Sequence, residues 1–90
     1  MASIGELQGA VDSVTALIGE TRGSLYQAAE TNTTTVATVQ GVFEMAGGSS
    51  ASGEALLAML AEVGEKLSDI HNLLNAAEGK AAEFRVMLGH

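Results

Sequence analysis

Apolar residues recur along this chain in two ladders that step alternately by three and four positions, the spacing that lines one face of an α-helix. The first runs Ile4, Leu7, Val11, Val14, Ile18, Thr21, Leu25, Ala28, Asn32, Thr35, Val39, Val42, Ala46. The second runs Leu56, Leu60, Val63, Leu67, Ile70, Leu74, Ala77, Ala81, Phe84, Leu88, and all its occupants are apolar. Between them lies Gly47-Gly48-Ser49-Ser50-Ala51-Ser52-Gly53, a segment of small residues only. The pattern predicts an all-α chain with one domain spanning 1–90: a helix over about 4–46, a turn at 47–53 and a helix over about 54–88, folded into an antiparallel hairpin.

Local signals support these limits. Ser3 followed by Glu6 has the spacing of a capping box, in which the Ser hydroxyl accepts from an amide one turn on and the Glu reaches back. Gly47-Gly48 supplies the left-handed geometry that ends a helix, Ser52 with Glu54 can cap the next one, and Gly89 closes it. One stretch conflicts with helix, because Thr31-Asn32-Thr33-Thr34-Thr35-Val36-Ala37-Thr38 is rich in β-branched and backbone-competing side chains. The ladder passes through it in phase from Ala28 to Val39, which favours continuous helix over a bend or frayed segment.

Folding the ladders together about a turn centred near Ala51 sets Val42 against Leu60, Val39 against Val63, Thr35 against Leu67 and Asn32 against Ile70. Further from the turn it sets Ala28 against Leu74, Leu25 against Ala77, Ile18 against Phe84 and Val14 against Leu88. Large residues mostly face small ones. This register leaves Ile4, Leu7 and Val11 without an intramolecular partner. Additional apolar residues widen each stripe: Leu17, Val36, Phe43 and Met45 on the first helix, and Leu57, Met59, Leu73 and Met87 on the second. They are read either as core filling or as a partner surface, for which the adaptable thioethers of Met59 and Met87 are suited. Asn32, polar at a seam position, can set register or partner choice. The small residues Gly19, Thr21, Gly23, Ala77, Gly79 and Ala81 fall at one level, where they would allow close helix approach or a notch for a partner.

A lone two-helix hairpin buries one stripe per helix, too little to offset the entropy of ordering a chain of 90 residues. The expectation is therefore a four-helix bundle or coiled coil built from two hairpins, as a homodimer or a heterodimer.

Composition narrows the chemistry. Eleven acidic against four basic residues give a net charge of -7, which disfavours nucleic acid and anionic membrane surfaces as partners. No Cys is present, so no disulfide or thiolate site is available. The N-terminal segment Met1-Ala2-Ser3-Ile4-Gly5-Glu6 lacks the basic region and apolar core of a Sec signal, and no run approaches the ~18 apolar residues that span a bilayer. His71 and His90 are far apart in sequence, and Asn75 occupies the position one turn after His71 where a second ligand would stand. Carboxylates are scattered on outer faces, with Glu62 and Lys66 spaced as an i,i+4 pair. No catalytic, cofactor or metal site is expected, and an enzyme is disfavoured.

Two long helices joined by a Gly-containing turn midway, in an acidic chain of this size without a Sec signal, resemble the WXG-type (ESX-like) hairpin proteins of type VII secretion systems. The resemblance is architectural and covers the whole chain. The C-terminal run from Gly79 to His90 is similar to a signal spacing near the end of such proteins, with Glu83, Val86 and His90 matching and Gly79 standing where an apolar residue is expected. No Trp is present, so Gly47-Gly48 occupies the place of the family's turn motif. A Tyr-x-x-x-Glu spacing, Tyr26 to Glu30, lies in the first helix, whereas the family's signal follows the second, and Tyr26 reads as a surface residue. The resemblance implies a protein that pairs with another hairpin or with an effector's targeting domain, made in the cytoplasm and exported by a Sec-independent type VII route. The alternative is a cytoplasmic, self-associating coiled-coil module unrelated to secretion. The partner surface would comprise Ile4, Leu7, Val11, Leu17, Asn32, Val36, Phe43, Leu57, Met59, Leu73 and Met87.

Overall fold

In the computed structural model, which describes residues 1–89, the chain forms two α-helices, α1 (Ile4–Ala46) and α2 (Ala51–Leu88), and no strand among the described residues. Their packing divides into two units, an end unit joining residues 1–24 to the chain from Ile70 onward and a turn unit comprising Leu25–Asp69. Within each unit a stretch of α1 runs antiparallel to a stretch of α2, the arrangement of a helical hairpin.

The helix limits follow from capping chemistry. The Glu6 amide donates to Ser3 Oγ at 3.1 Å and the Leu7 amide to the Ser3 carbonyl at 3.0 Å, so Ser3 is the N-cap of α1. At its other end the Gly48 amide donates to the Phe43 carbonyl at 2.9 Å and the Gly47 amide to that of Glu44 at 3.3 Å. This is a Schellman closure, and it needs the positive φ of Gly47, +80°; Gly48 follows at +153°, also a conformation suited to glycine. The next helix begins at once. Ser50, rather than the expected Ser52, caps α2, its Oγ accepting from the Gly53 amide at 3.1 Å and its carbonyl from the Glu54 amide at 2.9 Å. The turn is consequently shorter than 47–53, because Ala51, Ser52 and Gly53 are already helical.

The threonine-rich tract is continuous helix. The hydroxyls of Thr33, Thr34, Thr35 and Thr38 donate to the carbonyls of Ala29, Glu30, Thr31 and Thr34, four residues back, at 2.8–3.1 Å. Each side chain satisfies itself on the helix it occupies instead of competing with it.

The shorter turn changes the register. In the turn unit the Phe43 ring covers Gly53, and Asn32 lies beside Gly64 and donates from Nδ2 to the Leu60 carbonyl at 3.1 Å. In the end unit Arg22 meets Asn75 and Glu78, Asp12 meets Arg85, and Gln8 Nε2 donates to the Arg85 carbonyl. The expected pairings of Asn32 with Ile70 and Val14 with Leu88 are therefore displaced by about one helical turn or more. Gln8 also lies close to Gly89, so the unmatched stretch of α1 shrinks to its first turn, around Ile4.

The helices are also rolled. In the turn unit the less exposed side chains on α1 include Leu25, Ala29, Asn32, Val36, Val39 and Phe43, and the less exposed positions on α2 are Gly53, Leu57, Leu60, Gly64 and Leu67. In the end unit they include Val11, Ile18 and Arg22 on α1, with His71, Leu74, Glu78, Ala81 and Leu88 on α2. These follow the same 3-4 alternation as the expected ladders and share every second rung with them. The other rung moves by one residue, from Val42 to Phe43 or from Val63 to Gly64. That swings each seam by about 50°, half the angle between successive helical residues. The favoured flank carries Gly53, Gly64 and Ala29, which allow close approach, and Arg22, Asn32 and Glu78, which bond across the helix pair.

Candidate partner-binding face

Rolling the seam toward the polar flank leaves the apolar flank in solvent. In the end unit Val14 is 49 % exposed and Phe84 50 %, though both were expected inside the hairpin. In the turn unit Val42, Leu56 and Val63 are likewise exposed. Next to them on each helix stand the outer residues Leu17, Met45, Met59, Leu73 and Met87, all exposed over more than half their surface. Val11, at 7 %, is the sole buried residue among those described. Soluble chains seldom expose contiguous apolar stripes of this kind unless something covers them.

In the end unit the exposed flanks of α1 and α2 open on the same side. Val11, Val14 and Ile18 from α1 and Ala77, Ala81 and Phe84 from α2, with Lys80, line one open groove of about 380 Å³. A neighbouring hollow of about 320 Å³ is bordered by Lys80, Glu83, Phe84 and Met87. In the turn unit Val42 and Leu56, Val63 hold the equivalent heptad positions on their helices.

The residues expected to face a partner divide accordingly. Ile4, Leu7, Leu17, Met59, Leu73 and Met87 are exposed. Val36, Asn32, Phe43 and Leu57 instead stand half-buried in the turn-unit seam, and Val11 is buried against α2 in the end unit. The physical cause is the roll, which brings Val36, Phe43 and Leu57 inward and turns Val42, Leu56 and Val63 outward. Gly19, Gly23 and Gly79 are not close-packing devices, since a methyl group at any of them would meet nothing within 4 Å.

The opposite side of the end unit is polar. Arg22 Nη2 lies 2.6 Å from Glu78 Oε2 and 3.1 Å from Asn75 Oδ1, while its buried Nε has no hydrogen-bond partner among the described residues. Arg85 Nε donates to Asp12 Oδ1 at 2.7 Å, and this hydrogen bond, then the carboxylate's charge, pushes the guanidinium pKa up. These cross-helix pairs escaped the sequence reading because they become neighbours only in the observed register. A second 3-4 ladder through Arg22, Asn32, Gly64 and Glu78 was the available signal.

Glu83 and Val86 sit exposed near the end of α2, with the Glu83 carboxylate accepting from Lys80 Nζ at 3.1 Å. His90 lies outside the described residues. Tyr26 is exposed on α1. Glu62 and Lys66, despite their spacing, form no ion pair among the described residues, where the cross-helix pairs and Lys80–Glu83 are found. No group of three or more His, Asp or Glu among the described residues could hold a metal ion. Among the described residues no helix is long and apolar enough to cross a membrane. No protein-family model, curated protein or solved structure matches this chain.

Proposed function

We propose that this chain is a non-enzymatic interaction module: a helical hairpin that pairs with another hairpin, or with the helical targeting domain of a larger effector, as a partner or export adaptor in type VII secretion. One observation carries the pairing, namely the apolar flanks on the groove side. A helix in a two-helix pair needs one apolar stripe, whereas a helix in a four-helix bundle faces two neighbours and needs a wider one. Here each helix has a seam toward its hairpin partner and a second apolar band beginning about 50° away. The band is where a second hairpin would lie. The surface points the same way: 6327 Å² is exposed, against roughly 4,900 Å² for a compact monomer of this mass. The excess exceeds the ~800 Å² per partner of a standard interface.

The secretion part of the proposal rests on the architectural resemblance and on Glu83 and Val86, presented near the end of α2. Its test is export from a host with a type VII system. The chain should appear in the medium, and should be retained in the cells when the secretion motor is disabled or when Glu83 and Val86 are both replaced by Ala. Retention in every strain would refute export and leave the self-associating module. Pairing is tested separately by Leu73→Asp. This substitution should weaken association at least about tenfold without loss of helicity, because Leu73 is 68 % exposed in the hairpin; unchanged association would remove the groove side from the interface.

A further inference from the structure

Every sulfur in this chain is a thioether, for it has four methionines and no cysteine. Methionine is among the residue types most often buried, yet each one here is exposed. Met1 precedes α1 and Met45 lies in its last turn. Met59, 65 % exposed, and Met87, 62 % exposed, are placed differently. They share one heptad position of α2 with Leu73 and so stand on its outer apolar row, one in each unit. Met59 falls between the exposed Leu56 and Val63, and Met87 borders the hollow it shares with Lys80, Glu83 and Phe84. Both side chains are open to small solutes in the free hairpin, and a second hairpin lying on the apolar band would cover them.

Resting on the pairing reading above, we infer that Met59 and Met87 are sites of reversible oxidation by peroxide, and that their oxidation switches the apolar face off. The reaction needs no metal or neighbouring base, so exposure is enough. A sulfur lone pair attacks one peroxide oxygen, and the S–O bond forms as the O–O bond breaks. The sulfur-bound hydroxyl then gives its proton to the departing hydroxide, which leaves as water. Sulfur loses two electrons, peroxide gains them, and the product is methionine sulfoxide. A flexible apolar side chain has become a polar one, whose oxygen an apolar interface would bury without a hydrogen-bond donor. Sulfoxide reductases restore the thioether, which makes the change a switch. The coupling is reciprocal: an occupied face shields the thioethers, so the associated chain should oxidise more slowly than the free one.

The test applies hydrogen peroxide to the full chain and to a variant carrying Met59→Leu and Met87→Leu, which keeps the apolar volume and removes the oxidisable sulfur. Met45 stays in both and reports any loss that runs through it. Peptide mass spectrometry follows sulfoxide at each methionine against added N-acetylmethionine. Sedimentation measures self-association before oxidation, after it, and after repair with both classes of methionine sulfoxide reductase. The native chain should associate at least about tenfold more weakly once oxidised and recover on repair, while the variant changes by less than about twofold. Oxidation of Met59 and Met87 in the native chain should also slow, relative to N-acetylmethionine, as protein concentration rises. An oxidised native chain that associates as tightly as the reduced one overturns the inference and leaves pairing intact. Equal weakening of native chain and variant overturns it as well, since the effect then belongs to another residue. A reduced chain that stays monomeric at every concentration removes the self-pairing on which the switch acts, and the inference falls with it.

Discussion

Gly53 and Gly64 occupy equivalent inward positions on α2 but meet different neighbours. A methyl group at Gly53 would collide with the Phe43 ring, whereas one at Gly64 would stand in ordinary contact, 3.5 Å from Asn32 Nδ2. Ala is the better helix former by about 1 kcal/mol, so steric space decides the sign. Gly64→Ala should raise stability by up to about that amount. Gly53→Ala should lower it, and combining it with Phe43→Ala should remove the penalty specific to the clash. Chemical denaturation at a fixed protein concentration reads both. A stabilising Gly53→Ala would mean that the ring does not lie over the glycine. Asn32 illustrates another residue-scale point: its seam position was legible from the ladder, but its partner, the Leu60 carbonyl, was not.

Among the elements, α1 and α2 owe their limits to short-range chemistry and their register to the turn between them. The Schellman closure at Gly47 and Gly48 is followed directly by the Ser50 cap, which starts α2 at Ala51 and slides each α2 residue relative to α1. The consequence is measurable within the end unit. Spin labels at positions 12 and 85, where an ion pair now bridges the helices, should broaden one another's spectra strongly. Labels at 14 and 88, opposite one another in the register expected from a turn centred on Ala51, should do so less. The reverse order would restore the longer turn. The threonine tract teaches the complementary lesson: its hydroxyls bond to the preceding turn, and low helix propensity did not prevent a helix whose Asn32, Val36 and Val39 pack in phase with the seam.

For the molecule as a whole, a single buried side chain among the described residues is too little to hold two long helices in place. Stability should therefore depend on association. The thermal midpoint should rise with protein concentration, and further on addition of a pairing hairpin, as mass action requires when the partner binds only the folded form. A cooperative unfolding transition independent of concentration, from a chain that scatters light as a monomer, would show that the hairpin is self-sufficient. The polar side of the end unit, with Arg22, Glu78, Asp12 and Arg85 already paired, is suited to remain in water.

Much of this architecture was legible in the amino-acid order. Periodicity identified two long helices, Ser3 and Gly47 marked their ends, and alternate rungs of each ladder, such as Val11, Leu25 and Val39 on α1 or Leu60 and Leu74 on α2, do stand inward. These depend on local hydrogen bonding and on a repeat that any helix of this sequence must display. What only the tertiary structure decided is which flank of each ladder turns toward the other helix. Apolar residues cover more than one seam's width on both helices, so hydrophobicity alone favours the Val14 and Phe84 flank over the one that is used. Glycines that admit close approach, and the bonds of Arg22 and Asn32 across the pair, reverse that preference, because contacts between helices depend on register and roll, which sequence spacing within one helix does not specify.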